Sequence, residues 1–223
     1  MSQLVKVQDH NHNETKITYD SLGRRISIDN PDSGMLLYKY DDAGNLISKR
    51  DPNLVEKGQS INYEYVYNRL TKIDYPQGES DVYYKYGSST DATPNIKGKI
   101  FKVVDESGVT TFEYGKLGET TKTTQKFFDF DFNIRTVTEF DSWGRATRIL
   151  YPDDEEIRYV YDQGGQVSRA IGIKAGVELT YVDKILYDEF GQKVYQKLGN
   201  GVETKYTYDT DRKSTRLNSS HRI

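Results

Sequence analysis

The sequence predicts an all-β fold of tandem hairpins, and three observations carry that prediction. Tyrosine accounts for 19 of 223 residues, with a further 8 phenylalanines and only one tryptophan. A short aromatic-Asp/Gly-x-x-Gly motif recurs along almost the whole chain. No long segment places its apolar residues at the 3.6-residue period of a helix, so helix content is expected near zero and no Asp or Ser needs a helix-capping role.

The motif appears as Tyr19-Asp20-Ser21-Leu22-Gly23-Arg24, Tyr40-Asp41-Asp42-Ala43-Gly44-Asn45, Tyr114-Gly115-Lys116-Leu117-Gly118-Glu119 and Phe140-Asp141-Ser142-Trp143-Gly144-Arg145. Two more copies read Tyr161-Asp162-Gln163-Gly164-Gly165-Gln166 and Tyr187-Asp188-Glu189-Phe190-Gly191-Gln192. Degenerate copies start at Tyr67, which lacks the glycine, and at Tyr86, where Ser88 to Lys97 intervene before Gly98. A ninth starts at Tyr208-Asp209, and copies begin 19 to 28 residues apart. The aspartate can accept hydrogen bonds from amides ahead of it, two residues take αR, and glycine supplies positive φ. That is a type I turn with a glycine bulge, a connection between antiparallel strands.

The flanking residues alternate as strands do. Val202, Thr204, Tyr206 and Tyr208 share one face against Glu203, Lys205 and Thr207. Ile157, Tyr159 and Tyr161 oppose Arg158, Val160 and Asp162 in the same way. A second turn signal follows several motif glycines: Pro31 to Gly34, Glu106 to Gly108 and Gly199 to Gly201, with Pro76-Gln77-Gly78 and Pro152 to Asp154 in the comparable place elsewhere. Each repeat is therefore two strands and two reversals, and neighbouring repeats must stack to bury an aromatic face. Apolar residues reach only 35% and mean hydropathy is −0.80, too little for a thick aliphatic core. A buried tyrosine contributes about 4 kcal/mol before entropy is subtracted, so several compensate for missing leucines.

Residues 211–223 are set apart. Asp211 to His221 back-translates without mismatch into a common sequencing-adapter read-through, so this tail is expected to be adapter-derived and disordered. On that reading the natural protein continues beyond Thr210. Removing the tail's four basic residues and one acidic residue leaves 27 against 33, a formal charge of −6, which argues against nucleic acid as a partner. Residues 1–16 are expected to be a lead-in belonging to a preceding strand, and 17–210 the array, irregular at 67–98. No apolar run is long enough to span a bilayer, and no signal peptide is visible.

The motif, and the stretch Thr18 to Asp51 above all, resembles the YD repeats of the RHS family, over about Ile17 to Asp209. Thr18 to Asp51 is further similar to the B and C components of bacterial insecticidal-type toxin complexes. The resemblance implies a β-sheet strip spiralling into a hollow shell that encloses a C-terminal toxin or effector domain; in animal teneurins a related shell serves adhesion. It implies the rest of its own chain, and toxin-complex or secretion-system components, as partners, and a secreted or cell-surface location. The family's processing core, Asp-Pro-x-Gly-Leu, is missing: Asp51-Pro52-Asn53-Leu54 lacks the glycine and reads as a turn.

Candidate chemistry is thin. Asp129-Phe130-Asp131-Phe132-Asn133 imitates the start of an EF-hand, but Ile134 replaces the required glycine and Phe140 the bidentate Glu, so it reads as a strand with its phenylalanines on one face. Asp153 to Glu156 reads as a solvated turn beside Pro152, and His10 and His12 lack a third ligand. No histidine lies between His12 and the tail, so an oriented catalytic base is not available. The expectation is a non-catalytic structural module with no cofactor or metal. The structural residues are Tyr19, Asp20, Gly23, Tyr40, Asp41, Gly44, Tyr114, Gly118, Phe140, Asp141, Gly144, Tyr161, Asp162, Gly165, Tyr187, Asp188, Gly191, Tyr208 and Asp209. Arg24 and Arg145 are expected to pack on tyrosine rings or pair with acids. The alternative reading is a cell-wall glycan-binding or teneurin-like adhesion module, with Trp143 as the stacking ring.

Overall fold

A computed structural model describes residues 3–76, 81–208 and 215–219. The fold is all-β, and its strands run antiparallel to their neighbours in sequence. The chain divides into two compact units, Met1–Ser88 with Gly98–Thr110 and Phe127–Asp131, and Ser89–Lys97 with Thr111–Lys126 and Phe132–Ile223.

In the first unit β1 (Lys6–Gln8), β2 (Glu14–Tyr19), β3 (Arg25–Asn30), β4 (Gly34–Tyr40), β5 (Leu46–Arg50), β6 (Ile61–Val66), β7 (Arg69–Asp74), β8 (Val82–Tyr86) and β9 (Ile100–Val104) pair successively as a meander. Strand β10 (Gly108–Tyr114) starts in this unit and ends in the second. The second unit continues with β11 (Thr120–Phe127), whose last residue falls in the first unit, then β12 (Asn133–Phe140), β13 (Ala146–Leu150), β14 (Glu156–Tyr161), β15 (Val167–Lys174), β16 (Val177–Tyr187), β17 (Lys193–Leu198) and β18 (Glu203–Tyr208), again in successive pairs.

Burial follows the predicted alternation. In β18 Thr204, Tyr206 and Tyr208 are half-buried between exposed Glu203, Lys205 and Thr207. Among the described residues only Ile96 and Ala170 among the hydrophobics are buried, so each unit is a single layer with no enclosed core. Two strand faces with one aromatic side cannot do more until something covers that side.

Three expectations are corrected. Pro52–Glu56 is a one-turn helix, α1: Asp51 caps it by accepting the Leu54 amide at 2.9 Å, and Pro52 enters at the first turn, where a missing N–H costs nothing. Asp129 to Asp131 form an irregular hairpin tip rather than a strand, with Phe128, Phe130 and Phe132 all exposed. Within the tail, expected to be disordered, Thr215–Ser219 forms β19 and pairs with β18 over Thr204↔Ser219 to Tyr208↔Thr215. The open backbone edge of β18 accepts any extended segment that reaches it. Pro76-Gln77-Gly78 and Asp209 fall wholly or partly outside the described residues.

Candidate functional site

The recurring turn is the chemically distinctive feature, and its geometry repeats closely. Asp20 N–H donates to Arg24 O at 2.9 Å and Gly23 N–H to Asp20 O at 3.0 Å; the same two bonds close the turns starting at Asp41, Gly115, Asp141, Asp162 and Asp188. The glycines sit at positive φ, as in Gly23 (82°) and Gly144 (75°). A register shift falls at the motif aromatic of five of the hairpins: at Tyr19, Tyr40, Phe140, Tyr161 and Tyr187. The extra residue accommodates the turn without moving the aromatic out of its face.

The motif aspartate braces its loop from inside. Asp141 Oδ1 accepts from the amides of Trp143 and Arg145 at 2.9 and 3.0 Å, while Oδ2 takes the Arg145 Nε at 2.7 Å. Asp188 holds Phe190 and Gln192 in the same way, Asp162 holds Gln166, and Asp41 holds Asn45 by both backbone and side chain. The Arg145 side chain holds the Asp141 carboxyl below its usual range, and Asn45 does so for Asp41. Burial of Asp20 opposes ionisation, but the Arg24 bonds outweigh it and its pKa also falls. In the 114–119 copy glycine replaces aspartate because the Glu119 carboxylate lies where a Gly115 Cβ would be.

The residue after the turn glycine ties one repeat to the next. Arg24 donates to Asp41 O at 2.7 Å and lies over the Tyr40 ring at 5.0 Å; Arg145 lies over Tyr161 at 4.3 Å. Asn45 reaches Asn68 Oδ1 at 2.9 Å and Gln166 reaches Gly191 O at 3.1 Å. A Cβ on Gly165 would sit 3.1 Å from Arg145 Nη1, and one on Gly191 2.8 Å from Gln166 Nε2. The preceding repeat's side chain therefore packs close against Gly165 and Gly191, whereas Gly44 has nothing within 4 Å of its missing Cβ.

Tyrosine hydroxyls form a second tie. Tyr161 donates to Ala146 O at 2.7 Å, Tyr187 to Val167 O at 2.9 Å and Tyr208 to Lys193 O at 2.8 Å. Each acceptor lies two residues after the preceding motif glycine. Tyr65 obeys the same rule, donating to Leu46 O at 3.0 Å, two residues after Gly44.

That bond relocates the degenerate copy. Tyr67, expected to start it, is 95% exposed and forms with Asn68 a two-residue turn in which both have positive φ. The repeat aromatic is Tyr65, where the register shifts. Asn in a hairpin turn was the available signal. Arg69 keeps the tying role, lying over Tyr86 at 5.6 Å. At the next copy Gly87 N–H donates to Lys99 O and Gly98 N–H to Gly87 O, so the usual closure holds around the inserted 88–97 segment.

One further turn was not anticipated, and the expected turn at Pro152 to Asp154 shares the closure of the motif. Asp9 accepts from the amides of Asn11 and Asn13, with His12 at φ 65° in the glycine place, so residues 1–16 contain a hairpin. Tyr151 N–H donates to Glu155 O, with Asp154 at φ 61°. His and Asp tolerate this conformation better than most residues, and their substitution for glycine hid the first turn and the second turn's kinship with the motif. Among the described residues no group of three or more His, Asp or Glu is placed to hold a metal.

The model of the RHS Repeat family matches residues 19–56, the two most regular copies. Residues 19–56 are similar to RHS repeats. The chain is 32% identical over 77 residues to the toxin subunit YenC2 of Yersinia entomophaga, a stretch that is 34% of this chain and 8% of that protein. Its fold is similar to the crystal structure of TcdB2-TccC3-Cdc42, with TM-score 0.79 and 19% identity over 91% of this chain and 11% of that one. The Tc holotoxin pore of Photorhabdus luminescens gives TM-score 0.77 at 19% identity, covering 91% of this chain and 11% of that chain. The chain thus spans about a tenth of the length of the proteins it matches.

Proposed function

We propose that this chain is a non-catalytic wall segment of a toxin shell, which together with the rest of its polypeptide encloses a C-terminal toxin or effector domain. One observation carries the reading: the units are single-layered, with their tyrosine faces half-buried and no enclosed core. A wall of this kind separates an inside from an outside, whereas a catalytic domain needs a concave site with converging polar groups. Similarity to toxin-complex subunits supports a secreted or surface-delivered protein acting with other toxin-complex chains. No helix among the described residues is long and apolar enough to cross a membrane.

The experiment is electron microscopy and limited proteolysis of the full-length gene product. A hollow particle whose C-terminal region resists protease until the particle is opened supports enclosure. A solid or extended particle with an accessible C-terminus refutes it. A second reading, glycan binding, draws on Trp143, 84% exposed at a turn tip. A glycan-array signal that disappears in Trp143→Ala would put that reading first.

A further inference from the structure

Strand β16 runs for eleven residues, but β17 for only six, and the two pair from Val182↔Leu198 to Tyr187↔Lys193. Beyond that point Gly199 N–H donates to Tyr181 O at 3.1 Å, and the chain reverses through Gly199-Asn200-Gly201 into β18. On its other side β16 stays paired to its start: Gly172↔Leu179, Ile173↔Glu178 and Lys174↔Val177. Val177 to Leu179 therefore overhang β17, the Gly199 turn being packed against the Thr180 carbonyl, and among the described residues no strand pairs with them on the side away from β15.

The overhang is held in place from several directions. Lys174 Nζ is 2.5 Å from Asp153 Oδ2, and Arg169 Nη2 donates to Thr180 Oγ1 at 3.3 Å. The Tyr181 ring crosses Gly172, which has no Cβ to obstruct it, and its hydroxyl donates to the Glu155 carboxylate. Along the overhang Val177 and Leu179 are 59% and 51% exposed and share a face by alternation. Glu178 between them is exposed and makes none of the ion pairs found among the described residues.

We propose that Val177–Leu179 is a strand-addition site for an extended peptide segment in which apolar residues alternate with lysine or arginine. An edge already fixed in strand geometry offers a row of backbone donors and acceptors at little ordering cost to the receptor. The apolar residues of the incoming strand cover Val177 and Leu179, and its cation meets Glu178. Glu178 also disfavours acidic or purely apolar strands. The turn at Gly199, packed against the Thr180 carbonyl, ends the site and limits the ladder to about three residues. A second folded copy is a poor occupant, because so short a ladder falls well below the roughly 1,000 Å² that a stable interface buries.

The test uses this chain and a blocked hexapeptide alternating valine and lysine, with amide hydrogen exchange as readout. In the free protein the amides of Glu178 and Thr180, which alternate with those facing β15, should exchange at least about tenfold faster than those of Val182–Tyr187. Millimolar peptide should slow them about tenfold or more, a valine–glutamate peptide should have a lesser effect, and Glu178→Lys should reverse that order. A peptide with central proline should do nothing. Slow exchange before any peptide is added, protection indifferent to peptide charge or proline, or protection that grows with protein concentration alone would each overturn the proposal, the last in favour of self-association.

Discussion

At the scale of the residue, the motif carboxylate braces its own turn, while the side chain after the glycine and the tyrosine hydroxyl reach the neighbouring repeat. Gly144 and Gly165 separate the two demands. Gly144 has φ 75° and nothing near its missing Cβ, whereas Gly165 has φ 83° and the Arg145 guanidinium beside it. Gly144→Ala should cost about 1–2 kcal/mol, the ordinary strain of a left-handed residue. Gly165→Ala should cost more, and combining it with Arg145→Ala should cost less than the sum of the two singles; urea unfolding of the four proteins measures the coupling. The hydroxyl ties give a second contrast. Tyr65→Phe and Tyr187→Phe each remove a bond to a repeat carbonyl and should lose about 1 kcal/mol, while Tyr67→Phe should leave the midpoint unchanged.

At the scale of the element, the hairpin is the unit of construction and its turn sets its register. The β15–β16 hairpin shows how an element depends on something outside itself. Tyr181 reaches Glu155 only because Gly172 leaves room for its ring. Gly172→Ala should displace the ring, shift the Tyr181 aromatic resonances towards those of an exposed tyrosine, and lower the thermal midpoint, while the far-ultraviolet strand signal persists. Asp51 shows the converse, a local rule inside a β array. Its side chain and the proline that follows suffice for one helical turn, and Asp51→Ala should remove that turn at a cost of about 1 kcal/mol, seen as faster exchange of the Leu54 amide.

The whole molecule carries its acids in turns and its phenols on a face, and that distribution fixes its pH range. Asp20, Asp41 and Asp141 have lowered pKa values in the fold, so their contribution is complete above the ordinary carboxylate value and is lost as pH falls through the lower folded values. Burial raises the phenols of Tyr63, Tyr65, Tyr84 and Tyr159, so their contribution is complete below the ordinary tyrosine value and is lost as pH rises through the higher folded values. Stability should therefore be level between about pH 5 and 9 and fall on either side, with tyrosinate absorbance appearing together with the loss of strand signal at high pH. Loss beginning near neutrality would contradict this account. The unpaired edges and half-covered aromatic faces should also make the isolated chain associate, and a monodisperse monomer would count against a wall that needs neighbours.

The repeat was legible because a turn is local: Asp20, Gly23 and Arg24 lie within five residues, and the chemistry that closes their loop is contained in that span. Alternation along β14 and β18 was equally readable, since a strand's two faces follow from its period alone. The turn in which His12 takes the glycine's conformation escaped notice, as did the kinship of the Asp154 turn with the motif, and Tyr67 stood in for Tyr65, because choosing between neighbouring tyrosines needs the carbonyl of Leu46, 19 residues upstream. By itself the amino-acid order determined the strand-turn rhythm and the aromatic face, both set by interactions a few residues long. Only the tertiary structure decided which aromatic enters each register, which side chain ties one turn to the next, and where β16 outruns β17, because those depend on groups brought together across strands.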